Sequence, residues 1–135
     1  MGKVIADMSI SLDGFITGPN DSIERPLSNG GMRLHDWIFD GSAERFGTSP
    51  RTSATGSNRD VMDEAFKMLG AVIMGRRWFD IGEGPWGENP LFQVPCFVLT
   101  HEAHEKLVKG ATTFTFVTDG NESALKQAQA WCIHF

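Results

Sequence analysis

The sequence predicts an α/β fold in which helices cover a mainly parallel sheet, and three observations carry that prediction. Short apolar runs at Ala71–Gly75, Cys96–Thr100 and Phe114–Thr118 have the length and composition of strands buried on both faces. Apolar residues at helical spacing, from Asn58 to Leu69 and from Ser123 to about Trp131, alternate with those runs, which is the order that sets helices against a sheet. The 135 residues are 41% hydrophobic and 21% charged, enough apolar material for one globular domain with its own core.

From the N-terminus, Lys3 to Ile10 is rich in Val and Ile and breaks at Leu12-Asp13-Gly14, the pattern of a strand running into a turn. Asp13 has two readings, a turn tied by its own side chain or a chemical role. Gly18 to Gly31 is dense in Gly, Pro, Asn, Asp and Ser and predicts a surface loop, followed by a short ordered turn at Leu34 to Phe39. Gly41 to Asn58, rich in Ser, Thr and Gly and carrying Pro50, predicts a long insertion able to act as a lid. Asn58 is placed to cap the helix whose stripe is Val61, Met62, Ala65, Phe66 and Leu69, with Gly70 as its stop. Asp80 to Pro95 predicts a loop, His101 to Val108 a short helix, and Asp119-Gly120-Asn121-Glu122 a capping entry to the last helix.

Composition removes several function classes. A net charge of −5 and a pI near 5.3 argue against a general nucleic-acid surface, so cations for an anionic ligand must be local. Cys96 and Cys132 lack metal-ligand spacing and read as reduced packing residues, which suits a cytoplasmic protein. No apolar run approaches membrane-spanning length, and no membrane partner is expected. His101 and His104 with Glu102 and Glu105 miss the spacing of a zinc protease, and no metal is assigned.

Val72-Ile73-Met74-Gly75-Arg76-Arg77 is the most informative stretch, an apolar strand that ends in glycine and delivers two guanidinium groups. Glycine allows close approach of a ligand to the backbone, and a guanidinium fork matches phosphate oxygens bidentately. That combination suggests a nucleotide cofactor; the alternative is a strand end with solvated arginines. Trp37, Phe39, Trp86 and Phe92 either stack on a planar substrate or pin loops to the core.

Five ordered motifs widen this reading: Met8-Ser9-Ile10-Ser11-Leu12-Asp13-Gly14-Phe15-Ile16, Leu34-His35-Asp36-Trp37-Ile38-Phe39-Asp40, Val72-Ile73-Met74-Gly75-Arg76-Arg77, Gly84-Pro85-Trp86-Gly87, and Val94-Pro95-Cys96-Phe97-Val98-Leu99-Thr100-His101. Together, from Lys3 to about Ala130, they resemble the bacterial dihydrofolate-reductase-like family, which includes the reductase domain of the riboflavin-biosynthesis deaminase-reductase. The resemblance implies a dihydrofolate-reductase-like three-layer α/β/α fold with a mainly parallel mixed sheet. It further implies NADPH as cofactor and hydride transfer to a small-molecule substrate of the pterin or ribityl-aminopyrimidine kind. Gly75, Arg76 and Arg77 match the turn facing the cofactor phosphates, where a helix N-terminus adds a favourable dipole. Thr100 and His101 match the edge of the adenosine and 2′-phosphate pocket, although His101 also reads as an exposed residue opening a helix. Met8 and Ser9 match the backbone beside the nicotinamide, and Ile16 to Gly18 the loop that closes over it. No proton donor is assigned, since Asp63 and Glu64 read more simply as a solvated helix face and water can deliver the proton.

The chain departs from the family pattern after the last helix, where a strand, a Gly-Gly loop and closing strands are expected and Trp131-Cys132-Ile133-His134-Phe135 stands instead. A C-terminally incomplete sheet with unpaired edges is therefore expected, and a homodimer is the expected assembly. The alternative to a reductase is a non-catalytic remnant or self-associating binding module of the same fold.

Overall fold

The computed structural model describes residues 2–39 and 55–132. The first segments are short: α1, Ser28–Gly31, is an irregular turn in which Asn29 and Gly30 leave helical dihedrals, a 3₁₀ turn spans Met32–His35, and α2 spans Asp36–Phe39. Helix α3 (Gly56–Lys67) leads to strand β1 (Val72–Gly75), helix α4 (Arg76–Trp86), strand β2 (Cys96–Leu99), the hairpin β3 (Leu107–Lys109) and β4 (Thr112–Val117), and helix α5 (Asn121–Cys132).

The four strands form one mixed sheet in the order β1-β2-β4-β3. β1 pairs parallel with β2 from Val72↔Cys96 to Gly75↔Leu99, and β2 pairs parallel with β4 from Cys96↔Phe114 to Leu99↔Val117. β3 returns antiparallel to β4, with Leu107 opposite Phe114 and Lys109 opposite Thr112. Gly110 turns that hairpin at φ +55, where a two-residue connection favours glycine, and a side chain there would meet the Asn89 amide.

Alternation along the strands divides the core between two faces. Met74, Cys96, Val98 and Phe114 meet Phe79 of α4, with Trp86, Phe92, Leu107 and Phe116 packed around them. On the opposite face Phe97 and Val117 meet Ala124 and Ala128 of α5. Helices thus cover both faces, and burial on both sides is why the strands read as continuous apolar runs. Trp86 stacks on Phe114 at 6.0 Å with 3° between rings and meets Phe92 edge-on at 5.1 Å, so both residues pin the 86–95 segment to the core.

Several expectations are corrected. Lys3 to Ile10 forms no strand: Val4, Ile5, Met8 and Ile10 are exposed, because no described segment offers them a ladder and β-propensity alone does not hold a strand. His101 to Val108 is not a helix, since Leu107 begins β3 and the ladder with β4, together with packing of Leu107 on the core, overrides local helix propensity. Asp80 to Pro95 is not all loop, because α4 runs on to Trp86 with Phe79, Gly82 and Trp86 on its packed side. The Trp86 indole lies over Gly82, where any side chain would collide with it. Thr55, not Asn58, occupies the position before α3, and Gly70 is explained by packing, since an added Cβ would lie 2.6 Å from Cys132 Sγ. Cys132 itself is exposed, whereas Cys96 is buried, and both are free thiols. Most of the expected lid at 41–58 falls outside the described residues, as do Asp40 and residues 133–135.

Candidate functional site

The parallel strands β1, β2 and β4 deliver their carboxyl ends to one side of the sheet, the place where open α/β sheets bind ligands. Gly75 closes β1 with extended backbone (φ −78, ψ 158) and precedes α4, whose first turn receives no side-chain cap. A Cβ built on Gly75 would meet nothing within 4 Å, so the backbone there is open to approach. Gly75 and Leu99 are register partners, which sets Arg76 and Thr100 at adjacent strand ends.

Arg76 is held from three sides. Its Nε donates to Asp80 Oδ1 at 2.7 Å, one helical turn on; Nη1 lies 2.6 Å from His104 Nε2; and Cζ stands 5.9 Å from the Phe116 ring centroid. The His104 ring is 5.0 Å from Phe116 and its Nε2 is 4.0 Å from Glu102 Oε2. Arg77 reaches the other way, donating from Nη2 at 2.8 Å and Nε at 3.2 Å to Asp21 Oδ2. Because the Arg77 side chain is 74% exposed, this pair is screened and worth about 1 kcal/mol at most. An open cleft of about 750 Å³ runs between the 21–24 loop and α4, with Ile23, Glu24 and Ile81 on its walls.

Thr100 anchors the end of β2. Its amide donates to the Val117 carbonyl at 3.1 Å, and its Oγ1 accepts from the Glu102 amide at 3.1 Å, which fixes the turn into the following loop. His101 is exposed on that loop. The structure therefore brings Gly75, Arg76, Arg77, Thr100 and His101 to one end of the sheet.

The remaining expected positions lie elsewhere. Met8 and Ser9 stand in the exposed N-terminal segment without a strand, and Ile16 is 47% exposed. Gly18 serves the 18–31 loop itself: its amide donates to Leu27 O at 3.2 Å, and a side chain there would collide with the Asn29 carbonyl. Asp13 accepts a hydrogen bond from the Ser11 hydroxyl, which supports the turn reading of that residue. Asp63 lies on the exposed face of α3 with Arg59 at 3.8 Å.

The sequence points to His104 only as a rejected metal ligand, and to no role for Asp80 or Asp21. The four-residue spacing of Arg76 and Asp80 was visible once a helix was assigned there. His104 and Asp21 join Arg76 and Arg77 across 28 and 56 residues, and no local pattern encodes either contact.

No protein-family model matches the chain, and no curated protein matches it. No helix among the described residues is long and apolar enough to cross a membrane.

Proposed function

We propose that the chain is an NADPH-dependent reductase of the dihydrofolate-reductase-like type, acting on a pterin-like or ribityl-aminopyrimidine-like substrate in the cytoplasm. One observation carries the reading: two arginines and an open glycine stand at the uncapped start of an eleven-residue helix, at the carboxyl end of a parallel sheet. Such a start offers unpaired amides and a positive dipole end to a phosphate.

The residues present fit the phosphate end of the cofactor. The Gly75 backbone would approach a phosphate closely, Arg76 and Arg77 would donate to its oxygens, and the Thr100 hydroxyl, which accepts from the Glu102 amide, would donate a further bond. Arg77 would exchange Asp21 for the ligand, a weak, exposed contact to give up. His104 and Asp80 hold the Arg76 guanidinium in place and reduce the rotamer freedom lost on binding. When bound, NADPH supplies the hydride, and the protein's task is to orient it and exclude water. The nicotinamide end does not fit the described residues in the same way, because Met8 and Ser9 belong to no strand.

Calorimetric titration with NADPH and NADH tests the proposal. Binding with a preference for NADPH is expected. Arg76→Ala together with Arg77→Ala is expected to weaken NADPH about 10- to 100-fold and erase that preference, as for loss of charge-assisted hydrogen bonds worth about 1.5–3 kcal/mol. No heat with NADPH overturns the cofactor reading, and an unchanged preference in the double variant overturns the role of the arginines.

A second reading, a non-catalytic self-associating module, is favoured by the outer edge of β1, which pairs with no strand among the described residues, and by the exposed apolar segment before Leu12. It predicts association in solution without any response to cofactor.

A further inference from the structure

Arg76 and Arg77 stand side by side at the start of α4 and are engaged differently. Arg76 is held by Asp80 at 2.7 Å and His104 at 2.6 Å. Arg77 bridges the cleft instead, and its acceptor is Asp21, one carboxylate oxygen taking Nη2 at 2.8 Å and Nε at 3.2 Å. Those two donors form an edge of the guanidinium that an oxyanion uses, so Asp21 holds the position a phosphate oxygen would take.

Asp21 belongs to a loop built as a unit. Gly18 donates to Leu27 O at 3.2 Å, Ser22 and Arg25 exchange both backbone bonds at 3.1 and 3.0 Å, and Arg25 Nη1 donates to Asn29 Oδ1 at 3.2 Å. Asn20 takes left-handed backbone (φ 65) directly before Asp21, a conformation that asparagine adopts more readily than most residues. All of these bonds stay inside the 18–31 loop. Among the described residues, the two bonds that Asp21 accepts are the hydrogen bonds that tie this loop to α4. Ile23 and Ile81 line the same cleft, but Ile23 is 67% exposed, so apolar packing there adds little hold.

We propose that Asp21 is a built-in competitor for the anion and the 18–31 loop a latch. In the free protein the Asp21 carboxylate occupies the Arg77 fork and holds the loop against α4; a phosphate-bearing ligand takes the fork and frees the loop. The inference rests on the phosphate reading of Gly75, Arg76 and Arg77, and adds to it a loop whose position depends on occupancy. The coupling is reciprocal, because the contact that holds the loop lowers anion affinity by the same factor by which the anion loosens the loop. Asp21 is 26% exposed and Arg77 74%, so that factor is small, about two- to fivefold.

Inorganic pyrophosphate is the probe, titrated into the full chain and followed by the NMR shifts of the amides of residues 75–78. Asp21→Asn keeps the size of the side chain and removes its charge, and is expected to tighten binding about two- to fivefold. In an Arg77→Ala background the same substitution is expected to change nothing; a gain that persists there would mean charge repulsion alone and would overturn the exchange. Loop position is read by electron spin resonance between nitroxides on Glu24→Cys and Val108→Cys in a Cys132→Ser chain, Cys96 being buried. The distance distribution is expected to broaden at saturating pyrophosphate, and in Asp21→Asn without it. Bound pyrophosphate with an unmoved loop overturns the latch and leaves the phosphate site standing, as does binding that Asp21→Asn leaves unchanged or weakens. No binding by the wild type or by Asp21→Asn overturns the phosphate reading itself, and the latch with it.

Discussion

Residues 71–132 and residues 2–39 with 55–70 treat similar apolar material in opposite ways. All nine buried hydrophobic residues among those described come from the first region, between Met74 and Ala128. In the second, Val4, Ile5, Leu12, Phe15 and Ile23 are each more than 60% exposed, and α3 buries no residue completely. The second region also holds two of the three described non-glycine residues at positive φ, Asn20 and Ser28, the third being Gln93, and its Thr17 and Ser28 hydroxyls are buried with no hydrogen-bond partner among the described residues. Apolar residues become a core only where two elements close over them. β1, β2 and β4 have α4 and α5 on opposite faces, whereas the N-terminal arm pairs with no strand among the described residues.

The largest effect expected from this contrast is on stability. Phe114→Ala removes a fully buried ring that meets Phe79 at 5.2 Å and Trp86 at 6.0 Å, and should cost about 3–5 kcal/mol in urea unfolding. Leu12→Ala, at a fully exposed site, should stay within about 0.5 kcal/mol. Comparable losses at the two sites would erase the distinction between the regions.

Thiol labelling sharpens the comparison without altering the core. Burial pushes the Cys96 thiol up to about 12, so little thiolate forms near neutral pH, while Cys132 is exposed. One equivalent of Ellman's reagent should react rapidly and the second only on unfolding; rapid reaction of both would mean that β2 opens readily.

The smallest effect expected is on pH dependence, through His35. Burial lowers its pKa, outweighing the hydrogen bond with the Gly31 backbone and the Asp36 carboxylate, both of which raise it. With the folded value below the unfolded 6.5, the unfolded chain takes up the proton first. Stability is therefore full above about pH 6.5 and is lost as pH falls through the folded pKa. Thermal melts of the wild type should show a steeper acid loss than those of His35→Gln, and identical slopes would remove His35 from the balance.

Much of the sheet was legible because its signal is local. Strands at 72–75, 96–99 and 112–117 announce themselves as apolar runs, and α5 as a helical stripe after Gly120. The arginine end of the site was legible for the same reason, since Gly75, Arg76 and Arg77 follow one another. His104 and Asp21 were not, because their value lies in contacts made across the fold. The arm misled because a strand is a property of a pair: Lys3–Ile10 has the composition of one strand and lacks the other.

The sequence by itself determined which segments are apolar enough to be buried, the α/β alternation, and the cations that follow β1. These depend on side-chain chemistry and on periods of two and 3.6 residues. Only the tertiary structure decided that Leu107 joins a hairpin, that α4 continues to Trp86 by packing on the β-sheet, and that His104 and Asp80 clamp Arg76. Each of these turns on partners distant in the chain, whose ladder bonds and buried contacts outweigh the local preference of a few residues.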